Sequence, residues 1–279
     1  MNLSGETKRI LRAYGIVPKK RLGQNFLVDE ETLGKMVSYA LLGGEDVILE
    51  VGAGLGFLTE RLAQKASQVI AVEIDPKLVG ILKNRLSSYR NVTILQGDIM
   101  SLAVPPFNKV VSTPPYSLSS PLQFWLLEKS FEQAILAFQE EFAERLAAPV
   151  GSENYGRLTV TTYFRAGVEL LGPIPRELFQ PPPRVDSTIV RLKPRQPPFF
   201  VEDERMFFDF VRAIFTQKNR KLRNAVMPFL RELNIAKRDA DQIAVSLPFN
   251  CRRPRELAPE EIGFVVNEIA KALGSRGLI

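Results

Sequence analysis

Hydrophobic positions between residues 46 and 193 follow two alternating spacings. Continuous apolar runs such as Val47–Val51 are typical of strands buried inside a parallel sheet. Stretches such as Phe57–Ala66 repeat apolar residues every three or four positions, as amphipathic helices do. The predicted strands are 47–51, 68–72, 92–96, 109–112, 133–138, 159–164, 166–171 and 186–192, and the predicted helices between them are 57–66, 76–86, 118–127 and 140–147. This alternation predicts a doubly wound α/β sheet.

The pattern changes at Lys193–Pro198 (KPRQPP), a proline-rich stretch typical of a semi-rigid linker. Beyond it every segment has helical spacing, at 204–215, 218–230, 236–244 and 259–272. We therefore predict two domains. Residues 1–193, with an N-terminal extension at 1–20, form the α/β domain, and residues 199–279 form a small all-helical domain.

Composition excludes several classes of chemistry. The chain has no histidine and one cysteine, Cys251, so histidine-assisted nucleophiles and internal disulfides are impossible and a metal site is not expected. No apolar run reaches the roughly 18 residues that span a bilayer, and residues 1–20 lack the apolar core of a secretory signal. We therefore expect a cytoplasmic protein. Its net charge of +6 favours a polyanionic partner.

A glycine-rich turn follows the first predicted strand, in the string EVGAGLG at 50–56. Glycines let the backbone turn tightly and approach a ligand closely. Dinucleotide sites usually read G-x-G-x-x-G, whereas this G-x-G-x-G spacing with Glu50 before it is more typical of S-adenosylmethionine enzymes. Glu73 ends the second strand, where an acid can bind both ribose hydroxyls, and Asp98 follows the third, placed to meet an adenine amine. Together they predict a pocket for an adenosine-bearing cofactor; the alternative is a plain strand–helix turn.

The loop Ser112–Tyr116 (STPPY) follows the fourth predicted strand. Pro114 and Pro115 stiffen it and remove two donors, which leaves carbonyl oxygens free to accept. Tyr116 adds an aromatic face. The combination suits a flat heterocycle whose amine becomes more nucleophilic when acceptors hold its hydrogens. The alternative is a rigid proline turn beside a core tyrosine.

The chain resembles the ribosomal RNA adenine N6,N6-dimethyltransferases that modify two adjacent adenines near the 3′ end of small-subunit RNA. The resemblance spans nearly the whole length and rests on the strings RLGQNFL (21–27), EVGAGLG (50–56), VEID (72–75), QGDI (96–99), PPYSLSSP (114–121), YGR (155–157), FQPPPRVDS (179–187) and FTQKNRKLRN (215–224). It implies a Rossmann-like class I methyltransferase domain followed by a helical RNA-docking domain.

The resemblance also implies site residues. The cofactor-binding set for S-adenosylmethionine is Asn25, Leu27, Gly52, Gly54, Glu73, Asp98, Ile99 and Thr113. The set at the target adenine is Thr113, Pro114, Tyr116 and Phe179, with Tyr116 stacked on a base flipped out of the RNA and Phe179 a candidate for its other face.

One residue departs from the family motif N-[LIV]-P-[YF], because Thr113 stands at the asparagine position and Pro114 follows it. The resemblance implies that an asparagine oxygen at this position accepts one amine hydrogen. A threonine hydroxyl can also accept, but it is shorter and β-branched. We therefore expect an enzyme that is slower or that stops after one methyl.

Two basic clusters lie in the predicted helical domain, one with Lys218, Arg220, Lys221 and Arg223 and the other with Arg252, Arg253 and Arg255. With the family resemblance they predict contacts to the RNA backbone; the alternative is a solvated helix face.

The expected function is methylation of adenines near the 3′ end of small-subunit ribosomal RNA, in an immature 30S-type subunit, by a monomeric enzyme without a metal. Three alternatives remain open: an rRNA-binding assembly factor with weak or no catalysis, a methyltransferase of the large-subunit branch, and a nicotinamide dehydrogenase.

Overall fold

The computed structural model describes residues 2–19 and 22–274. Its helices and strands are, in chain order, α1 (Leu3–Ala13), β1 (Phe26–Leu27), α2 (Glu30–Tyr39), β2 (Val47–Val51), α3 (Phe57–Ala63), β3 (Gln68–Glu73), α4 (Pro76–Arg85), β4 (Val92–Gln96), β5 (Lys109–Ser112), α5 (Ser119–Leu127), β6 (Gln133–Gln139), α6 (Glu140–Leu146), α7 (Arg157–Arg165), β7 (Ala166–Ile174), β8 (Phe179–Gln180), β9 (Ser187–Pro194), α8 (Glu204–Phe215), α9 (Leu222–Ala225), α10 (Met227–Glu232), α11 (Lys237–Ser246) and α12 (Pro259–Gly274).

The chain divides into two compact units. The first holds the residues up to Ala143 together with Gly167–Pro194, and the second holds Glu144–Ala166 together with the chain from Arg195 onward. The second unit therefore takes in a segment, 144–166, that the sequence analysis assigned to the first domain. The reason is burial, because Tyr155 and Phe164 of this segment lie in the hydrophobic core of the second unit.

A seven-stranded sheet forms the centre of the first unit within the described residues, in the order β4-β3-β2-β5-β6-β9-β7. Strands β2 to β6 pair in parallel, and β9 pairs antiparallel with β6. Ile48, Leu49 and Val110 are fully buried, as expected for central parallel strands. The predicted Rossmann-like α/β architecture with a helical C-terminal region is confirmed.

Helix α1 packs onto the first unit and is not a loose extension. Asn2 caps it by accepting from the Gly5 N–H at 2.9 Å, and Leu3 is buried. The Arg85 guanidinium bridges Glu6 of this helix at 2.5 Å and Glu60 of α3 at 2.8 Å. No helix was predicted from the sequence at these positions.

Two predicted elements are wrong. The run 159–164, predicted as a strand, lies within helix α7. The four consecutive residues Thr159–Thr162 are all buried, so this run lacks the alternation of buried and exposed positions that marks a surface helix. The single helix predicted at 218–230 is two short helices, α9 and α10, because Pro228 lies at the start of α10, where no intrahelical N–H is required.

The second unit consists of helices around an aromatic core. Phe164, Phe207 and Phe210 are fully buried, and the Tyr155 hydroxyl donates to the Leu257 carbonyl at 2.8 Å. No helix in the described ranges, 2–19 and 22–274, is long and apolar enough to cross a membrane.

Candidate active site

The turn between β2 and α3 needs its glycines. Gly52 and Gly54 have φ angles of +80° and +60°, in the left-handed region that residues with a side chain avoid. A Cβ added to Gly52 would lie 2.9 Å from the Pro115 Cδ. The turn is therefore packed against the 113–116 loop, with no room for a side chain.

Glu73 lies at the carboxyl end of β3 and is 5% exposed. One of its carboxylate oxygens accepts from the Gly54 N–H at 3.0 Å, and the other accepts from the Asp75 N–H at 2.9 Å. Burial raises the pKa of Glu73, while these backbone bonds act in the opposite direction. The carboxylate is thus fixed in position, with its remaining lone pairs available to a ligand in the pocket it lines.

Asp98 and Ile99 follow β4 at the same edge of the sheet. Asp98 is exposed and accepts from the Met100 N–H at 3.0 Å, while Ile99 is buried. The Gly97 N–H donates to the Glu73 carbonyl at 3.0 Å, which joins the two strand ends. The structure therefore brings Glu73, Asp98 and Ile99 to one cavity.

Two pockets adjoin at this edge of the first unit. Both are lined by Leu22, Gly52, Glu73, Ile74 and Pro115. One continues to Asp98, and the other continues to Asn25, Thr113 and Phe179. Together they form one continuous groove, as expected at the carboxyl ends of strands in an open α/β sheet.

Strands β1 and β8 close one side of the groove. They pair antiparallel, with Leu27 opposite Phe179, and the Val28 N–H donates to the Leu178 carbonyl at 2.8 Å. This pairing brings Asn25 and Leu27 to a groove that lies mostly at the ends of later strands. The spacing of the sequence alone gave no indication of this pairing.

Tyr116 and Phe179 both line the groove, and their rings meet edge to face. Their ring centroids are 6.5 Å apart and the ring planes meet at 67°. A planar base can therefore stack flat on only one of the two rings in this arrangement. The Tyr116 hydroxyl shares a 2.7 Å hydrogen bond with the Ser187 hydroxyl, and burial raises the pKa of Tyr116, so the phenol stays protonated.

Two polar residues, one beside the groove and one lining it, were not among the predicted site residues. Ser187, which orients Tyr116, was visible as the last residue of the FQPPPRVDS string. Glu50 lines the groove, is 1% exposed, and has a carboxylate oxygen without a hydrogen-bond partner among the described residues. Burial, with a smaller contribution from the charge of Glu73, raises the pKa of Glu50 to about 8.

The two basic clusters of the second unit lie side by side. The Leu222 N–H donates to the Arg252 carbonyl at 2.7 Å, and the Arg223 N–H donates to the Asn250 carbonyl at 3.1 Å. Two strings that are about thirty residues apart in the chain therefore form a single surface, which we call the basic ridge. Its members are Lys218, Arg220, Lys221, Arg223, Arg252 and Arg253.

Not every member of the basic ridge is free to bind a partner. Arg252 forms an ion pair with Glu261 at 2.5 Å and also donates to the Glu256 carbonyl. Lys218 donates to the Glu153 carbonyl at 2.7 Å. The exposed members are Arg220, Lys221, Arg223 and Arg253.

The family described as "Ribosomal RNA adenine dimethylase" matches residues 17–246, which is most of the chain. The chain belongs to this family. It is 43% identical over 269 residues to a protein of Methanococcoides burtonii named as a probable ribosomal RNA small subunit methyltransferase A, covering 95% of this chain and 97% of that protein.

Two solved structures are similar over both units of this adenine dimethylase. A dimethyladenosine transferase from Plasmodium falciparum has a TM-score of 0.74 and 28% identity, covering 90% of this chain and 98% of that one. The 23S rRNA methyltransferase ErmE has a TM-score of 0.67 and 29% identity, covering 88% of this chain and 100% of that one. The expected enzyme class, an S-adenosylmethionine-dependent methyltransferase, is confirmed.

Proposed function

We propose that this adenine dimethylase transfers methyl groups from S-adenosylmethionine to N6 of adenines near the 3′ end of small-subunit ribosomal RNA. One observation carries the proposal. Glu73 and Asp98, suited to an adenosine, line a groove continuous with the Thr113–Tyr116 loop, which is suited to a second adenine. We also propose that the substrate is RNA within an immature 30S-type subunit in the cytoplasm, bound by a monomer. The names of the archaeal relatives support the small subunit.

The residues present fit the proposed cofactor. Gly52 and Gly54 form a cradle that a Cβ would fill, and beside it Glu50 offers a buried carboxyl oxygen that has no hydrogen-bond partner among the described residues. In the proposed arrangement, Glu73 holds the ribose, Asp98 and Ile99 hold the adenine, and Asn25 and Leu27 contact the methionine end. When bound, S-adenosylmethionine supplies an electrophilic methyl group.

The chain contributes positioning and electrostatics to the proposed reaction. Tyr116 stacks on the target adenine, and Phe179, whose ring is tilted against that of Tyr116, contacts the base at its edge. The Thr113 hydroxyl and the Pro114 carbonyl accept the two amine hydrogens, which concentrates the lone pair on the nitrogen and aims it at the methyl group. This scheme needs no histidine, and the chain contains none.

Transfer of labelled methyl groups to undermethylated small subunits tests the proposal, with mass spectrometry of the digested RNA as the readout. Methylated adenosine near the 3′ end of the small-subunit RNA is expected. Methylation of protein-free large-subunit RNA instead would contradict the proposed substrate. No methylation of either RNA would contradict the proposed activity.

We expect Thr113→Asn to accelerate the second methyl transfer, because asparagine reaches further as an acceptor. One recovered hydrogen bond is worth about 1–3 kcal/mol, which is roughly 5- to 150-fold in rate. Thr113→Val is the matched control, since it keeps the shape and removes the acceptor, and it should be slower than the natural enzyme. Equal dimethyladenosine formation by the natural enzyme and by Thr113→Asn would show that Thr113 is not limiting.

A second candidate function is an rRNA-binding assembly factor with weak or no catalysis, which the Thr113 departure favours. It predicts that the natural protein binds immature small subunits without methylating them. It also predicts that Glu73→Ala leaves this binding unchanged.

We expect the basic ridge to bind RNA phosphates in a salt-dependent manner. Changing Arg220, Lys221 and Arg223 together to glutamine should weaken RNA binding and reduce the slope of log affinity against log salt by about 2–3. The control is the triple change of the exposed Arg231, Lys237 and Arg238 to glutamine, which removes the same charge outside the ridge. Equal losses in the two triple variants would show that only net charge matters.

A further inference from the structure

A buried acid lies two residues beyond Glu73. Asp75 is 1% exposed and caps α4 by accepting from the Lys77 N–H at 3.1 Å. Its other carboxylate oxygen accepts from Lys19 Nζ at 2.7 Å and from Gln24 Nε2 at 3.0 Å. Helix capping requires only the first of these bonds. The other two come from the segment that precedes the sheet.

The three residues form a closed set of contacts, in which one bond is donated by a backbone N–H. The Lys19 N–H donates to Gln24 Oε1 at 2.8 Å, so the two donors to Asp75 also hold each other. Burial acts to raise the pKa of Asp75, but the bonds from Lys19, Gln24 and the Lys77 N–H lower it below its usual value. The contact is therefore one between an ammonium and an ionised carboxylate, which is stronger than a neutral hydrogen bond.

This set of contacts connects Glu73, which both pockets share, to the 22–25 segment that lines one of them. On one side, the Asp75 N–H donates to Glu73 at 2.9 Å. On the other side, Gln24 is followed by Asn25 and preceded by Gly23, which both line the groove. A Cβ added to Gly23 would lie 3.5 Å from Pro115 Cβ and from the Tyr116 N, so this segment also rests on the target-base loop.

We propose that Lys19, Gln24 and Asp75 form a latch that holds residues 22–25 in place as a wall of the cofactor pocket, against the loop that carries Tyr116. This inference rests on the proposed function. Lys19 is a positioning residue in it, because it does not line the groove and acts through Asp75 and Gln24. Lys19 thereby orders residues 22–25 before the cofactor binds, so that less binding free energy is lost in ordering this wall.

We expect Lys19→Met to weaken binding of S-adenosylhomocysteine about 10-fold, since a charge-assisted bond that orders the wall is lost. The KM for S-adenosylmethionine should rise by a similar factor while kcat changes less. Lys19→Arg should restore most of the affinity, because it returns a cation of similar reach. The matched control is Lys35→Met, which removes an exposed lysine paired with Glu31 at 2.6 Å.

Titration calorimetry of the full-length protein with S-adenosylhomocysteine is the primary measurement. Hydrogen exchange of the 22–27 amides in the cofactor-free protein is the second, and it should be faster in Lys19→Met than in Lys35→Met. Asp75→Asn keeps an acceptor for the α4 cap but removes the oxygen that accepts from both Lys19 and Gln24. Adding Lys19→Met to Asp75→Asn should therefore cost little further affinity, because the Lys19 contact is already lost.

Several results would overturn the latch. One is an unchanged dissociation constant for Lys19→Met. Another is a loss of S-adenosylhomocysteine affinity in Lys19→Met that Lys19→Arg does not restore and that accompanies a lowered melting temperature. That result would mean that Lys19 only stabilises the fold. A natural protein that does not bind S-adenosylhomocysteine would contradict the proposed cofactor itself, and would remove the latch with it.

Discussion

Glu73→Gln should lose at least about 100-fold in affinity for S-adenosylhomocysteine. The natural carboxylate already accepts from the Gly54 and Asp75 N–H groups, one on each oxygen, and we propose that it also accepts two ribose hydroxyls. An amide has one acceptor oxygen, so its NH2 group would face one of these backbone donors. Two lost hydrogen bonds at about 1–3 kcal/mol each account for a loss of this size.

Glu45→Gln is the matched control for this measurement. Glu45 is exposed, and its substitution removes the same charge as Glu73→Gln. Thermal unfolding of both variants separates lost binding from lost folding. A Glu73→Gln variant that remains folded and binds within a few-fold of the natural protein would contradict the assignment of Glu73 to the ribose.

Local patterns predicted the cofactor side of the groove well. Glu73 and Asp98 each stand just after a strand with a clear apolar run, and Gly52 and Gly54 fill a turn that only glycine can make. Carboxyl ends of adjacent parallel strands must meet at one edge of the sheet. The residues therefore came together as expected, although their roles remain predictions.

Non-local pairing could not be predicted in the same way. Asn25, Leu27 and Phe179 meet through a two-residue antiparallel ladder between chain segments that are about 150 residues apart, and only the family resemblance pointed to them. Helix α7 was mistaken for a strand because its β-branched residues are buried on nearly every side. In both cases tertiary packing overrode the local signal.

The arrangement of the basic residues also could not be predicted from the sequence alone. Their positions in the sequence suggested two separate clusters, but backbone bonds from α9 to residues 250 and 252 join them. Counting charges also overestimates the number of basic side chains that can reach RNA phosphates, because Arg252 is paired with Glu261 and bonded to the Glu256 carbonyl. Exposure therefore reduces the predicted RNA contacts mainly to Arg220, Lys221, Arg223 and Arg253.

Tyr116→Ala should lower methyl transfer about 100-fold or more at saturating cofactor while leaving affinity for S-adenosylhomocysteine within a few-fold. Stacking of one base on an aromatic ring is worth about 1–3 kcal/mol, and loss of the platform also misplaces the amine. Initial rates with labelled methyl groups, measured beside calorimetric titration, separate the two effects.

Tyr116→Phe distinguishes the ring of this residue from its hydroxyl. The ring and its edge contact with Phe179 remain in this variant, while the 2.7 Å bond to Ser187 is lost. If stacking dominates, Tyr116→Phe keeps most of the activity that Tyr116→Ala loses. Equal losses in both variants would mean that orientation by Ser187 matters as much as the ring. Full activity in Tyr116→Ala would mean that the base does not stack at Tyr116, and would leave buried Phe179 as the remaining aromatic platform at the groove among the predicted target-base residues.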